Sequence, residues 1–359
     1  MKIKPATILL GYLVAVLAVF ESAPSMFAQG SLTPPPGPPA PTMKSLDQIE
    51  ARTPLAGGSA AITISQPGSY YLTGNLTVTT GNAITIATNG VTLDLNGFTI
   101  SSTASSPTGN AILLNSGLRN IAIKNGFIQS GVTFSGGSYS GTGFDSGINY
   151  TGTAPEGASV SHVSVTGVLN HGMTLGSGNS TVAESCTVRT GGGYGIVAAV
   201  VRDCSAIQWG ITAIFGNQVS NCRGVSTGGF DGISAITAEN CYGESNSGSG
   251  FGVQTAMNCF GVSAGAGYGI YADKSATNCY GQTVSGYGVQ SRVANNCSGI
   301  ANSGAGVGIG ATNAINCYAY NSNASGWALN VGIAAFCYFN TPSIYSHAYF
   351  CYTGPTVYP

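Results

Sequence analysis

The sequence predicts an all-β fold, a single parallel β-helix (a solenoid) whose repeat length is near 19. Three observations lead there. Cysteine returns at 186, 204, 222, 241, 259, 279, 297, 317 and 337, at a nearly constant step. Its context returns with it, as in Asn240-Cys241-Tyr242-Gly243, Asn258-Cys259-Phe260-Gly261 and Asn278-Cys279-Tyr280-Gly281. From Ile62 the chain is a series of short alternating runs broken by Gly, Asn and Pro, among them Ile84-Thr85-Ile86 and Ile121-Ala122-Ile123. A fixed period of this size marks a repeat whose layers cannot bury their own cores. Alternation rich in β-branched residues marks strands. Short, frequent strands leave a sandwich, a barrel or a β-helix open. In-register recurrence of equivalent residues decides for the last.

Taken in order, residues 1–28 read as an export signal. Lys2 and Lys4 precede an apolar run from Ile8 to Phe20, which Glu21 ends. That run is shorter than a membrane span and fits a signal core, with cleavage expected after Ala28. An uncleaved anchor is the alternative. Residues 29–44 form a proline-rich linker carrying Pro34, Pro35, Pro36, Pro38, Pro39 and Pro41, a semi-rigid spacer. Residues 45–60 are read as an N-terminal cap. Ser45 and Gln48 have capping-box spacing there, and Leu46 and Ile49 share a helical face, so a short helix is expected over the open end of the solenoid. The β-helix then spans 61–340. Residues 341–359 are an aromatic tail in which Cys351 falls off the period, expected to fold over the last coil. The stretch after Cys337 is too short for a translocating barrel, so self-transport is not expected.

Composition narrows the function classes. Charged residues make up 6% of the chain and the net charge is −1, so no basic field exists to hold a phosphate backbone, and nucleic acid is not an expected partner. The 54 glycines follow no collagen period. They sit beside Ile, Val and Cys at repeating offsets, as corners require.

The stretch Pro67-Gly68-Ser69-Tyr70-Tyr71-Leu72-Thr73-Gly74-Asn75-Leu76, followed by Val91-Thr92-Leu93-Asp94-Leu95-Asn96-Gly97-Phe98-Thr99-Ile100, resembles the opening coils of exported bacterial right-handed parallel β-helix proteins of the pectin-lyase-like superfold. The resemblance covers roughly residues 45 to 350. It implies a right-handed solenoid and assigns Asp94 to an early-coil motif. It implies no single activity, since that superfold hosts lyases, hydrolases, epimerases and tailspikes.

Stacked coils turn each repeated position into a column. If the cysteines point inward, Asn221, Asn240, Asn258, Asn278, Asn296 and Asn316 point outward before them, and Tyr242, Phe260, Tyr280, Tyr318 and Tyr338 after them. Neighbouring parallel strands are too far apart for easy disulfides, so a stack of reduced, buried thiols is expected, with disulfides the alternative. No Cys-x-x-Cys pair occurs and no metal or other cofactor is expected. The Asn column reads as a structural amide ladder or a ligand contact, and the aromatic column as self-stacking rings or a sugar-binding strip. A second motif, aromatic-Gly-Ile/Val, recurs at Tyr194, Trp209, Phe251, Tyr268 and Tyr287. It is expected to put Ile or Val in the core.

Chemistry is harder to place. Lyases of the superfold hold calcium with clustered carboxylates, and its hydrolases combine several Asp with a His and an Arg-x-Lys element. Here His171 has neither an Asp-Asp pair nor Arg-x-Lys beside it and reads as a turn residue. Glu184 and Arg202 should form a cross-coil ion pair, and Asp203 and Arg223 another. The alternative makes Asp203, Asp231 and Glu244 a carboxylate patch for calcium or acid/base work. The expected function is a non-catalytic exported scaffold, or a module binding a polysaccharide or cell-surface ligand through Tyr242, Phe260, Tyr280, Tyr318, Asn240 and Asn278. A polysaccharide lyase or glycoside hydrolase is the alternative. A trimeric adhesive fibre is a third, poorly supplied with outward apolar residues.

Overall fold

Backbone hydrogen bonding between coils sets the architecture. In the computed structural model residues 51–178, 180–340 and 343–353 are described, the side chains of 344–346 excepted. The export signal, the proline-rich linker and the capping helix fall almost wholly on residues 1–50 and so lie outside the described residues. The described part is a parallel β-solenoid of about 14 turns, about 20 residues each, without a helix. Its strands form three parallel faces. Each coil runs from sheet I (for example Phe251 to Val253) into sheet II (Thr255 to Met257), bends at an Asn-Cys pair, and continues into sheet III (Phe260 to Ser263). In the later coils sheets I and II are the two halves of one bent strand, as in Val307–Ile315.

The bend between sheets II and III is the constant part of every coil. From Asn125 onward its residue has positive φ in twelve successive coils: Asn125, His162, Ser185, Asp203, the six asparagines from Asn221 to Asn316, Phe336 and Phe350. Asparagine tolerates this left-handed backbone better than other side chains with a Cβ, which explains its recurrence there. The following residue turns inward, so Cys186 through Cys337 are buried in one file. The expected stack of free, inward thiols is present.

Core columns are complementary in size. Sheet I contributes Ile196, Ile214, Ile233, Phe251, Ile270, Val289, Ile309 and Leu329. Sheet II contributes Ala238, Ala256, Ala276, Ala294, Ala314 and Ala334, and across the coil the sheet I side chains Phe251, Ile270, Val289 and Ile309 lie against the sheet III glycines Gly243, Gly261, Gly281 and Gly299, so large side chains meet small residues. Each fully buried Ile contributes about 1.5–3 kcal/mol. In sheet III the walls pinch together. A Cβ at Gly243, Gly261, Gly281 or Gly299 would overlap the carbonyl of Gly250, Gly269, Gly288 or Gly308 across the coil. The buried column Ser226, Ser245, Ser263 and Thr283 closes the next corner, where Ser245 Oγ donates to the Phe230 carbonyl at 2.6 Å and accepts from Gly248 N–H at 3.0 Å.

Several details differ from expectation. The coil ladder already includes Thr53–Leu55, which pairs with Gly68–Leu72, and it extends through Ser343–Tyr349 and Tyr352–Thr353. Cys351 is therefore not a cap residue off the period. Tyr352 N–H donates to the Cys337 carbonyl as its counterparts do one coil earlier, and the last coil is simply a shortened one. Early coils are longer instead: Leu93 pairs with Ile123, and Ile123 in turn with Val160. The longest contains an antiparallel hairpin, Thr133–Ser135 with Ser138–Ser140, whose Tyr139 hydroxyl reaches the Gln208 carbonyl at 3.1 Å. The aromatic-Gly-Ile/Val motif is not one column. Phe251 itself takes the core place of Ile233 and Ile270, and Trp209 is buried in sheet III.

Replacing Asn258 by Ala should lower solenoid stability by about 1–2 kcal/mol, through the left-handed backbone and two lost amide bonds. Ser185→Asn should raise it by a few tenths to about 1 kcal/mol. Urea midpoints followed by circular dichroism check both, and equal midpoints would remove the bend from its structural role.

Candidate ligand-binding groove

The bend puts two ladders side by side on the outer surface. On one side the amides hydrogen-bond coil to coil. Asn221 Nδ2 donates to Asp203 Oδ1 at 3.0 Å, Asn240 to Asn221 at 3.3 Å, Asn258 to Asn240 at 3.0 Å, Asn278 to Asn258 at 3.1 Å and Asn296 to Asn278 at 2.8 Å. On the other side rings stack on rings. Arg223 lies 5.3 Å from the Tyr242 centroid, Tyr242 stacks on Phe260 at 5.5 Å, and Phe260 on Tyr280 at 4.5 Å. Beyond Ser298 the stack resumes, Tyr318 on Tyr338 and Tyr338 on Tyr352, both at 5.4 Å. The cysteines form the floor between the ladders.

All six residues singled out in the sequence line this surface. Asn240 and Tyr242 border one recess with Asp203 and Arg223; Phe260, Asn278, Tyr280 and Tyr318 border the next. Their rings do not form a flat strip, however. Interplanar angles of 12° and 13° between successive rings mean that faces are spent on one another and edges meet solvent. Each such contact contributes about 0.5–1.5 kcal/mol, so the column stabilises the solenoid whatever else it does. Burial pushes the Tyr280 and Tyr318 phenols up. For Tyr242 burial does so first, with the Glu244 carboxylate that its hydroxyl meets at 2.9 Å adding to it.

The thiols are unreactive by position. Cys259 donates to the Met257 carbonyl at 3.2 Å and Cys279 to the Thr277 carbonyl at 3.2 Å, the same contact that each cysteine from Cys186 to Cys337 makes two residues back. Hydrogen bonding between neighbouring sulfurs pushes Cys222, Cys259 and Cys297 up and their neighbours Cys204, Cys241, Cys279 and Cys317 down, while burial acts to raise every thiol of the file and keeps it from solvent.

Charged groups are mostly used in pairs. Arg202 Nε contacts Glu184 Oε1 at 2.8 Å, the cross-coil pair expected from sequence. The second expected pair does not form, because Asp203 accepts from the Asn221 amide while Arg223 turns to the Tyr242 ring. Asp231 accepts from Ser249 N–H, and burial raises its carboxyl. Asp94 is 7% exposed and receives Arg52 at 3.2 Å and the Asn125 amide at 3.2 Å, a structural hub. Among the described residues no three His, Cys, Asp or Glu side chains converge to hold a metal ion.

A separate concavity surrounds His171, with Asn149, Tyr150, Thr174, Tyr194 and Phe215. His171 Nδ1 accepts from Tyr194 N–H at 3.1 Å, and its ring lies 5.8 Å from that of Tyr194. Burial lowers its pKa against the opposing pull of Asp145. The histidine is thus held by its own neighbouring turn.

No protein-family model and no curated protein matches the sequence. A crystal structure of the GH136 lacto-N-biosidase from Eubacterium ramulus, a selenomethionine derivative, aligns at 9% identity with a TM-score of 0.26. The alignment covers 85% of this chain and 61% of that one, so the chain spans about three-fifths of the length of that protein. Nothing about activity follows from so distant a likeness.

In the native protein one thiol, Cys351, should react quickly with a thiol reagent, and all ten should react after denaturation. Two or more fast native thiols would mean the file is open to solvent.

Proposed function

We propose that the protein works outside the cytoplasm as a non-catalytic β-solenoid whose amide-and-ring groove binds a polysaccharide or cell-surface glycan. One observation carries this reading: Tyr242, Phe260, Tyr280, Tyr318, Asn240 and Asn278 border adjoining recesses along one face. Amides and phenol hydroxyls together suit hydroxylated, uncharged ligands, since both donate and accept hydrogen bonds beside the apolar ring surface. The low charge of the chain points the same way. The extracytoplasmic setting rests on the basic start and apolar run of residues 1–28.

The catalytic alternative has its best support at His171, a half-buried histidine 5.8 Å from a tyrosine ring and within the field of Asp145. The binding reading is preferred because general acid/base glycoside chemistry needs a pair of carboxyl groups facing one bond. Of the carboxylates the sequence nominated, Asp203 is engaged by an amide, Glu244 by a phenol and Asp231 by a backbone N–H.

A glycan array run beside lyase and hydrolase assays, with and without calcium, separates the two. Binding to neutral glycans without turnover is expected. Turnover abolished by His171→Ala would replace the binding reading with the catalytic one. Tyr280→Ala should weaken binding at least tenfold and lower stability by about 0.5–1.5 kcal/mol through the lost stack on Phe260.

A further inference from the structure

Resting on that reading of the groove, we propose that the break in the ring stack at Ser298 is a slot for one neutral pyranose, the terminal residue of a glycan. The break is a matter of register. Ser298 pairs with Tyr280 on one side and Tyr318 on the other, so it occupies the one coil between Arg223 and Tyr352 without a side chain that joins the stack. Tyr280 is stacked by Phe260 on one face only, and Tyr318 by Tyr338 on one face only. Tyr320, two positions along the same strand as Tyr318, runs beside that ring with centroids 6.5 Å apart and belongs to the neighbouring column. By register, the sides of Tyr280 and Tyr318 turned toward the Ser298 coil are two coil spacings apart, about 9.6 Å.

That width selects the occupant. A ring placed midway would lie about 4.8 Å from each tyrosine, within the range of ring-to-ring packing. The packing distance suits a puckered sugar, which is thicker than a flat aromatic ring. The slot lies within a longer open recess of about 500 Å³ that runs from Phe260 to Tyr318.

A second observation is independent of the rings. The amide ladder breaks at the same place. Asn296 donates to Asn278, but its Oδ1, the whole side-chain amide of Asn316 and the Ser298 hydroxyl have no hydrogen-bond partner among the described residues. An acceptor, an amide with both donor and acceptor, and a hydroxyl thus border the two open ring faces. Such a set matches vicinal hydroxyls. No charged side chain lines the recess, which argues against a uronic acid or an amino sugar. With both faces covered, Ser298 below and the amides along one edge, a bound sugar has its free direction outward. Only one glycosidic linkage can leave that way, so the residue is a chain end.

The test fills the slot. Ser298→Tyr supplies the missing ring and should abolish binding, with a loss of at least 30-fold, while the far-ultraviolet spectrum and thiol protection stay native. Tyr318→Ala and Asn316→Ala, which open the slot instead, should each weaken binding three- to tenfold. The probes are methyl hexopyranosides and neutral oligosaccharides with free ends or with both ends blocked, read by saturation-transfer NMR and calorimetry. Wild-type binding that Ser298→Tyr leaves unchanged would overturn the slot while sparing the groove. Equal affinity for oligosaccharides blocked at both ends would overturn the terminal assignment. Indole binding more tightly than any sugar would overturn the pyranose. Absence of binding to every glycan would overturn both the slot and the reading beneath it.

Discussion

The left-handed residue between sheets II and III is the constraint from which the rest follows. It turns the chain within two residues, so its neighbours are forced to opposite sides: the cysteine into the core, the amide and the ring outside. Because the bend recurs at the same register coil after coil, each of those choices becomes a file about 4.8 Å in repeat. The buried thiols, the amide ladder and the stacked rings are three projections of one backbone feature. Asparagine fits it best because its short side chain tolerates the backbone and also bonds to its own kind one coil away.

Much of this was legible in the sequence, and for a definite reason. Period and alternation report register, so the Cys, Asn and aromatic files and the Glu184–Arg202 pair could be placed before any coordinates. What periodicity does not report is the orientation of a side chain within its file. Nothing in the spacing of Tyr242, Phe260 and Tyr280 says whether their planes lie across the axis or along it, so self-stacking rings and a sugar-binding strip both stand open on sequence, and the structure shows the stack. The Trp209 and Phe251 motifs look like that of Tyr194 for the same reason: three letters match while the register differs. Cys351 falls off the numerical period because a coil that loses part of its length breaks the count without breaking the stack. The hairpin at 133–140 did carry a signal, the Gly136-Gly137 pair between Ser135 and Ser138, masked by the irregular length of that coil.

The outer groove illustrates how function is read on a repetitive scaffold. A uniform ladder satisfies much of its own bonding, ring on ring and amide on amide. On the proposed reading, the strongest recognition falls where the repetition lapses. Ser298 is such a lapse, and the coincidence of the ring gap with the end of the amide chain distinguishes it from a random surface substitution.

The unequal coil lengths have a consequence for how such a protein tolerates change. The long step from Ile123 to Val160 and the short one from Ala334 to Ala348 are accommodated without moving the register of sheet II. In the longest coil the surplus leaves the chain at two places, the 133–140 hairpin after sheet III and residues 151–158 between sheets I and II. Those two corners behave as expansion joints. Segments can be lengthened, trimmed or decorated there while the face built on the asparagine corner keeps its spacing, which lets one side of the barrel-like stack diversify freely as the other holds its pattern.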